Sequence, residues 1–226
     1  LRYWDIFNFY PDNFYNENID IPKPDKVALN NPVIVEEFKN FHNESEIIEV
    51  EALRYIWLDK IFTNQPKKRK IKYRVLILGD YTYATTKSLL DTYWQAHKNI
   101  DDVFEFSFKP HPNQPMHDSY QTIKRENRTM EEIITSYDIF FCGNMTYASV
   151  DGYIAGLKIF VMKDRFSLDL CPLNTKQALF ISTSDELIRN LDLVIDDRNL
   201  NENTENNKEI LFINKDLNRW QKLLEK

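Results

Sequence analysis

Tyr73-Arg74-Val75-Leu76-Ile77-Leu78-Gly79 is the segment that decides the fold of this chain. Its apolar residues run without alternation and end at a glycine, which is typical of a strand buried on both faces of a parallel sheet. Similar runs follow at 103–108, 139–142, 158–162 and 178–181. Helical patterns lie between them, so the sequence predicts a doubly wound, mostly parallel α/β sheet.

The intervening helices are placed by apolar spacing and by their capping residues. We expect them at 84–97, 130–136 and 147–155, with a further helix opened by Ser184-Asp185-Glu186 as N-cap and acidic first turn. A last helix is expected at 215–226, with Leu217, Trp220, Leu223 and Leu224 on one face. No internal repeat of fixed period accompanies them.

The first part of the chain follows a different pattern. Residues 1 to about 45 are rich in Asn, Asp, Pro and aromatic residues, and Pro22-Lys23-Pro24 and Asn30-Asn31-Pro32 predict breaks in regular structure. From Glu46, apolar residues at helical spacing predict an amphipathic helix to about Phe62. A polar, basic linker follows at 64–70. We therefore expect two domains, an irregular and helical segment at 1–72 and a Rossmann-like domain at 73–226.

Composition limits the classes of function. The balance of 29 Lys and Arg against 35 Asp and Glu gives a net charge of −6, which argues against nucleic acid as a partner. No apolar run reaches the roughly 18 residues that a membrane span needs. We expect a cytoplasmic protein with at most peripheral membrane contact and with both cysteines reduced. The start at Leu1, without a methionine, suggests a piece of a longer polypeptide.

Glycine is scarce in this chain. Average usage would give roughly 16 glycines in a chain of this length, yet the sequence has four. Gly143, Gly152 and Gly156 fall within one short stretch, so we expect glycine where backbone geometry demands it. For Gly152 and Gly156, four residues apart, the simplest interpretation is one helix face packed closely against the sheet.

Three polar clusters stand at the carboxyl ends of predicted strands, where open α/β sheets bind ligands. They are Gly79-Asp80-Tyr81, Lys109-Pro110-His111-Pro112 and Gly143-Asn144-Met145-Thr146-Tyr147-Ala148-Ser149. Asp80 could face a cleft, although an aspartate after a strand is more often a turn or cap residue. These clusters form the candidate site.

The Lys109–Pro112 cluster combines a cation and an imidazole in a backbone stiffened by two prolines. His111 could donate a hydrogen bond to a phosphate, or act as the general acid toward a departing nucleotide phosphate. The competing interpretation is that His111 only caps a turn while Lys109 is solvated.

The third cluster joins a turn-permitting glycine to amide and hydroxyl groups at the start of a helix. Free backbone N–H groups there suit an anion, and the side chains of Asn144, Thr146 and Ser149 add hydrogen-bonding groups. A simple N-cap by Asn144 or Thr146 explains the same residues without a ligand, and taken alone it is the commoner case.

Missing motifs restrict the chemistry further. The chain has no Asp-x-Asp pair for a metal-bound sugar diphosphate, and its four histidines show no metal-ligand spacing. It has no Walker phosphate loop, no Gly-x-Gly-x-x-Gly and no Gly-x-Ser-x-Gly elbow. We therefore expect no metal and no cofactor, and we set aside ATPases, Rossmann oxidoreductases and α/β-hydrolases.

The combination of Lys109–Pro112, Cys142–Ser149 and Asp151–Lys158 resembles bacterial GT-B glycosyltransferases of surface-carbohydrate synthesis, including sialyltransferase-like and Kdo-transferase-like enzymes. A segment at 49–55 resembles a surface carbohydrate biosynthesis family. The resemblance covers roughly residues 46–195. It implies that 73–226 is the C-terminal, nucleotide-sugar-binding half of a GT-B fold.

The resemblance also implies roles for individual residues. A His-Pro motif and a downstream Ser/Thr motif hold the CMP phosphate in those enzymes, which gives His111 and Pro112 the first role and Thr146 and Ser149 the second. Ala148 stands where the family often has a second hydroxyl residue. The acceptor-activating carboxylate lies in an N-terminal half that has no recognisable copy here.

Three functions remain open at this point. The first is transfer of a sugar from a CMP-type donor to a carbohydrate or lipid-linked acceptor in capsule or O-antigen synthesis, without a divalent metal. The second is transfer of glycerol phosphate from CDP-glycerol. The third is a noncatalytic module that binds a nucleotide or a carbohydrate.

Overall fold

A computed structural model describes residues 2–4, 24–41, 45–61, 72–114, 123–163, 170–196 and 210–225. The chain divides into two compact units. Unit 1 comprises Leu1–Asn64 with Glu205–Lys226, and unit 2 comprises Gln65–Thr204. Unit 2 contains the segment that decides the fold and all three polar clusters.

Unit 2 alternates strands and helices. Its strands are β4 (Tyr73–Leu78), β5 (Phe104–Lys109), β6 (Lys124–Arg125), β7 (Ile139–Gly143), β8 (Lys158–Met162) and β9 (Leu179–Ile181). Its helices are α2 (Tyr83–Ala96), α3 (Met130–Ile133), α4 (Ala148–Ile154) and α5 (Ser184–Asp196), with 3₁₀ turns at His97–Asn99 and Ile134–Ser136. The remaining strands and helices belong to unit 1.

The strands of unit 2 form one six-stranded sheet in the order β6-β5-β4-β7-β8-β9. Every pair in it is parallel. The chain winds outward from β4 to β6 and then returns to the other side of β4 to continue through β7, β8 and β9. The predicted doubly wound, mostly parallel α/β sheet is confirmed.

The buried strands explain why their pattern was visible in the sequence. All residues of β7 are buried, as are the last four of β4 and the middle three of β8. Side chains of both faces of these strands meet helices, so each strand is a continuous apolar run. The core also takes in Leu89 and Leu90 of α2 and Leu187 and Leu191 of α5.

Predicted and observed boundaries in unit 2 agree closely. β4 and β8 have the predicted ends, and α2 and β5 are displaced from theirs by one residue. The helix at 184–196 is capped by Thr183 rather than Ser184, since the Thr183 hydroxyl accepts the Glu186 N–H at 3.2 Å. β6 was not predicted, because two residues carry no usable period.

Unit 1 contains a second, smaller parallel sheet in the order β1-β2-β3. Its strands are β1 (Arg2–Trp4), β2 (Lys26–Leu29) and β3 (Glu46–Glu49). Helix α1 (Pro32–Phe41) follows β2, a 3₁₀ helix covers Leu53–Lys60, and α6 (Asn218–Leu224) ends the described chain. Val27, Leu29, Ile34, Val35 and Phe38 form its apolar core.

The expectation of irregular structure is wrong for residues 26–41. Asn31 and Pro32, taken as breakers, begin α1 instead. The Asn31 side-chain oxygen accepts the N–H of Val33 at 2.8 Å and of Ile34 at 3.3 Å, so Asn31 is the N-cap. Proline is well suited to the first helical position, where its missing N–H costs nothing.

The amphipathic helix predicted from Glu46 to about Phe62 is also wrong. Its first residues form β3, which pairs in parallel with β2, and Leu53–Lys60 is a 3₁₀ helix. Leu53, assigned to the apolar face, is 48% exposed, whereas Tyr55 and Leu58 are buried. Tertiary pairing with β2 decided the conformation of Ile47 and Ile48, whose β-branched side chains favour strands. Phe62 and the basic linker lie outside the described residues.

Helix α6 confirms the predicted C-terminal helix over most of its length. Its first N–H groups, of Arg219 and Trp220, donate to the buried carboxylate of Glu51 at 3.0 and 3.1 Å. Phe212 also exchanges backbone hydrogen bonds with Asn30 and Ala52. Residues 210–225 are therefore held within unit 1, while the domain boundary expected at 72 and 73 stays a prediction. Among the residues that the structure describes, no helix is long and apolar enough to cross a membrane.

Candidate functional site

The three polar clusters follow three adjacent strands of the six-stranded sheet. β4, in the middle, leads to Gly79 and Asp80, β5 leads to His111, and β7 ends at Gly143. The winding direction reverses between β4 and β7, and such a reversal opens a crevice at the carboxyl edge of a doubly wound sheet. The site predicted from sequence therefore lies at the switch point of the fold.

Gly79 brings the first cluster against the second. Its N–H donates to the carbonyl of Lys109 at 2.8 Å. A side-chain carbon added at Gly79 would lie 2.8 Å from the backbone nitrogen of His111 and 3.2 Å from the Cα of Pro110. Only glycine permits this approach, because both neighbours are backbone atoms with no freedom to turn away.

Gly143 brings the third cluster against the first. A side-chain carbon at Gly143 would lie 2.2 Å from Oδ2 of Asp80 and 2.7 Å from Cγ2 of Thr85. Asp80 is 1% exposed, so its carboxylate is enclosed at the switch point. The backbone N–H of Asp80 donates to the Thr86 hydroxyl at 2.8 Å, which ties the end of β4 to the first turn of α2.

His111 is held in a tight turn with part of its ring exposed. Its Nδ1 accepts the N–H of Asn113 at 3.2 Å, and its carbonyl accepts the N–H of Gln114 at 3.0 Å. The ring of Tyr81 meets the imidazole edge-on with centroids 5.8 Å apart. Because an accepting Nδ1 carries no proton, the neutral ring has its proton on Nε2. Pro112 is exposed in the same turn.

Lys109 reaches away from His111. Its ammonium group donates to the backbone carbonyl of Arg128, in the loop between β6 and α3. The structure thus places the two polar side chains of the Lys-Pro-His-Pro segment in different surroundings. A joint role for Lys109 and His111 on one phosphate stays a prediction.

A buried carboxylate orders the loop that Lys109 contacts. Glu126 accepts from Arg128 Nε at 3.0 Å and from its terminal nitrogen at 2.6 Å, and also from the Tyr137 hydroxyl at 3.1 Å. The hydrogen bonds from the Arg128 side chain are the main cause that lowers the pKa of Glu126 to about 2. Sequence analysis missed this pair, because a Glu-x-Arg spacing is common on surfaces.

The loop after β7 is closed by its own hydrogen bonds. The Ser149 hydroxyl is buried and donates to the Thr146 carbonyl at 2.7 Å, and Thr146 Oγ1 accepts the Ala148 N–H at 3.4 Å. Asn144 is buried beside Gly143. α4 has seven residues and no side-chain cap. Thr146 and Ser149 therefore act here on their own loop, and a ligand-binding role for them stays a prediction.

Sequence reasoning missed the residues that fix the β4–α2 turn. Thr82 is the N-cap of α2, and its hydroxyl accepts the Thr85 N–H at 3.3 Å. Thr82 also donates its own N–H to Oδ1 of Asp80 at 3.3 Å. The signal was present, because a threonine three residues before another polar residue at a helix start is a usual capping pattern.

The other glycines and the nearby cysteine have structural roles. Gly152 faces Phe140 and Ile159 at distances that leave no room for a side-chain carbon, which confirms close packing of α4 on the sheet. Gly156 instead has φ of 81° and turns the chain after α4, so its predicted place on the packed face is wrong. Burial raises the pKa of the Cys142 thiol, so it stays protonated and is a poor nucleophile.

Exposed aromatic and apolar side chains flank the switch point. Tyr81 and Tyr83 precede and begin α2, and Met145 lies in the loop after β7. A surface depression of about 350 Å³ lies elsewhere, beside Lys72, His97 and Phe104 at the amino end of β5. Since doubly wound sheets bind ligands at the carboxyl edge, that depression is not the candidate site.

Solved structures share this fold. The chain is similar to a glycotransferase of kitacinnamycin, with 12% identity and a TM-score of 0.59 over 89% of this chain and 54% of that one. It is similar to the spinosyn rhamnosyltransferase SpnG complexed with thymidine diphosphate, with 13% identity and a TM-score of 0.54 over 91% and 58%. It is also similar to the wall teichoic acid polymerase TagF with CDPG, with 15% identity and a TM-score of 0.52 over 91% and 61%.

The fold is that of GT-B glycosyltransferases. An all-parallel six-stranded sheet flanked by helices is the architecture of one half of such an enzyme. The chain spans between 54% and 61% of the length of these three neighbours. No protein-family model and no curated protein sequence matches it. At these identities the likeness is one of fold, and residue roles do not transfer with it.

Proposed function

We propose that this chain is the nucleotide-sugar-binding part of a GT-B glycosyltransferase, with the donor held at the switch point of the unit 2 sheet. The observation that carries the proposal is the convergence of three loops at that edge. Gly79 lies against the backbone of His111, and Gly143 lies against Asp80. The Gly79 contact is with backbone atoms and tolerates only glycine, whereas the Gly143 contact is with the side chains of Asp80 and Thr85. Such close approaches suit a surface shaped for a ligand rather than a loose set of turns.

His111 is proposed to bind the donor phosphate. With Nδ1 accepting from Asn113, the neutral ring presents an Nε2–H donor, and Nε2 makes no hydrogen bond to the described residues. This arrangement favours hydrogen bonding to a phosphate oxygen over proton donation, because a general acid would first have to gain a proton at Nδ1. Gly143, Asn144, Thr146 and Pro112 would line the same pocket, and Lys109 would approach it from the β6–α3 side.

The finer parts of the proposal concern the donor and the pathway. We propose a CMP-activated sugar, a carbohydrate or lipid-linked acceptor, and a role in bacterial surface polysaccharide synthesis such as capsule or O-antigen. Support comes from the Lys-Pro-His-Pro resemblance. Metal independence is part of the same proposal. Without a metal, His111, Lys109 and backbone N–H groups would stabilise the negative charge of the donor's phosphate.

A second function is favoured by one neighbour. TagF, a wall teichoic acid polymerase whose structure was solved after a soak with CDPG, is similar in fold over 91% of this chain. Transfer of glycerol phosphate from CDP-glycerol also needs a site for a cytidine diphosphate. Such a site stabilises the charge of the phosphates with the same kinds of hydrogen-bond donor and cation. The two donors share the cytidine nucleotide and differ in the group beyond the phosphate, so a nucleotide titration alone cannot separate them.

The test is thermal unfolding of the whole chain with CMP, CDP, UDP and GDP in the presence of EDTA. A ligand at a free concentration of 100 times its Kd stabilises a protein with one site by about 2.7 kcal/mol. For a chain of this size, this raises the melting temperature by roughly 5–10 °C. We expect cytidine nucleotides to give the largest shift. His111→Ala should weaken their binding by about tenfold or more, because it removes a hydrogen bond to a charged group.

His97→Ala is the matched control. His97 lies at the end of α2, and its ring packs on Trp94 rather than at the switch point. Its replacement should leave the nucleotide-induced shift in melting temperature unchanged. A wild-type chain that does not respond to any nucleotide contradicts the proposed function, and so does an equal response in the His111→Ala variant.

A further inference from the structure

Asp80 has an unusual hydrogen-bonding state. Among the described residues, its Oδ2 is the only buried side-chain nitrogen or oxygen without a hydrogen-bond partner. Its Oδ1 accepts a single long bond, from the Thr82 N–H at 3.3 Å. A buried acceptor without a partner costs about 1–3 kcal/mol, and more when it is charged. The chain bears this cost at the switch point of the sheet.

Two other buried carboxylates among the described residues, Glu51 and Glu126, are well supplied with donors. Glu51 accepts the N–H groups of Arg219 and Trp220 and lies 3.7 Å from the Arg219 guanidinium. Glu126 accepts from Arg128 and Tyr137. Both serve a structural purpose, since each holds a helix or a loop in place. Asp80 lacks partners of this kind, so a structural role explains only its Oδ1.

The surroundings of Oδ2 leave little space on the side of Gly143. A carbon attached at Gly143 would come within 2.2 Å of that oxygen, so Oδ2 occupies the space that a side chain at this position would fill. The absence of a side chain at Gly143 therefore makes room for the carboxylate at the end of β7.

We propose that Asp80 contacts the ligand, and that its carboxylate accepts a hydrogen bond from a hydroxyl of a polyol group on the bound nucleotide donor. Binding gives Oδ2 the hydrogen-bond partner that it lacks among the described residues. A carboxylate repels phosphate and accepts from hydroxyls, so Asp80 recognises the ribose or the transferred group and not the phosphate. This inference rests on the proposed function and adds to it the group that selects the hydroxylated part of the donor.

Asp80→Asn is the decisive variant, because it removes the charge and keeps the size. Oδ1 remains available to the Thr82 N–H. We expect the melting temperature of the free chain to rise by roughly 2–4 °C, the shift that relief of about 1 kcal/mol gives at this chain length. We expect nucleotide binding to weaken by about tenfold or more, as for a lost hydrogen bond to a charged group. A merely structural aspartate would lower stability when replaced.

Asp102→Asn is the matched control. It is the same chemical change at an exposed position just before β5, at the opposite edge of the sheet. It should change neither the melting temperature nor the nucleotide affinity.

The hydroxyl has two possible sources, and four probes separate them. CMP against 2′-deoxy-CMP isolates the ribose hydroxyl, and CDP-glycerol against CDP isolates the hydroxyls of a transferred group. If Asp80 binds the ribose, the preference for CMP over its deoxy analogue is lost in Asp80→Asn. If it binds the transferred group, the affinity gained from glycerol is lost instead. Either loss supports the inference.

Other results of the same measurements contradict the inference about Asp80. Equal binding of all four probes by wild type and Asp80→Asn overturns the inference and leaves the proposed function standing. A uniform weakening without any change in hydroxyl preference, or a lower melting temperature of the free variant, assigns Asp80 a structural role and also overturns it. If the wild-type chain binds none of the probes, the proposed function is contradicted, and the inference about Asp80 is contradicted with it.

Discussion

Asp80 and Glu126 are two buried carboxylates at the same edge of one sheet, and their surroundings are opposite. Glu126 follows β6 and accepts four hydrogen bonds, three of them from Arg128 and one from Tyr137. Asp80 follows β4 and accepts one, at 3.3 Å. Both side chains are buried, with Glu126 7% exposed and Asp80 1% exposed. The number of donors, and not burial, separates a structural carboxylate from a candidate ligand-binding one.

The comparison also separates two corners of the site. The β6–α3 corner is tied together before any ligand arrives, by Glu126, Arg128 and the Lys109 ammonium on the Arg128 carbonyl. The β4–β7 corner has instead the close approach of Gly143 to the side chains of Asp80 and Thr85. A preorganised corner is suited to positioning, whereas an unsatisfied one gains most from a ligand.

The largest effect is expected from Glu126→Gln. It weakens the paired bonds to Arg128 and the bond from Tyr137, so we expect the free energy of unfolding to fall by about 2–3 kcal/mol. Chemical denaturation of the two proteins measures the difference. Glu105→Gln is the control, because Glu105 pairs with Arg74 at 3.7 Å in an exposed ion pair, and such pairs contribute about 0–1 kcal/mol. Equal losses in the two variants would mean that Glu126 is an ordinary surface carboxylate.

A smaller effect is expected from Gly143→Ala. The added carbon would meet Oδ2 of Asp80 at 2.2 Å, and overpacking of this kind costs about 1–3 kcal/mol. The cost should shrink when Asp80→Ala is combined with it, because the carboxylate that clashes is then absent. A double-mutant cycle in denaturant measures this coupling.

Gly152→Ala tests whether that coupling is specific. Its added carbon would meet Phe140 at 2.5 Å and Ile159 at 2.8 Å, so it should also destabilise the chain. Asp80→Ala should not relieve that loss. If the double-mutant cycle gives the same coupling for Gly152 as for Gly143, the close contact between Asp80 and Gly143 is not the cause.

The smallest effect is expected from pH. The folded-state pKa of Glu126 is about 2 against an ordinary value of 4.5, so its contribution is fully present above the ordinary value and is lost as pH falls through the window between them. The stability difference between wild type and Glu126→Gln should therefore narrow as pH falls from about 6 to about 3. Denaturation midpoints at each pH measure it. A difference that stays constant over this range would contradict the depressed pKa.

Much of unit 2 could be predicted from sequence because its strands are buried on both faces. Such strands leave continuous apolar runs, and the runs at β4, β7 and β8 marked their own ends. Unit 1 could not be predicted in the same way. Its strands have only three or four residues. The pair Asn31-Pro32 is as typical of a break in regular structure as of the start of a helix. The conformation of such short elements depends on the strands and helices that they pack against, and the local sequence pattern does not show those contacts.

The strand pattern predicted where the candidate site residues lie in the sheet, but not what their side chains contact, and their roles stay a prediction. Gly79, Asp80, His111 and Gly143 stand at neighbouring strand ends, as the strand pattern implied. The direction of Lys109 toward Arg128 and the enclosure of Ser149 depend on loop geometry that residue types do not encode. Thr82 was within reach of prediction, because capping is a local interaction.

By itself the sequence determined the doubly wound sheet of this protein, the strand ends at which its polar clusters stand, and the resemblance to GT-B enzymes. The sheet and its strand ends follow from local periods and from burial on two faces, which the longer strands record in their own residues. The resemblance rests instead on the motifs at Lys109–Pro112, Cys142–Ser149 and Asp151–Lys158. Only the tertiary structure decided that β4 lies between β5 and β7, that Gly143 lies against Asp80, and that Glu126 has four donors while the Asp80 carboxylate has one. The strand order and the Gly143–Asp80 contact join residues far apart in the chain. The donors to the two carboxylates come mostly from residues nearby in sequence, but they depend on loop geometry that residue types do not specify.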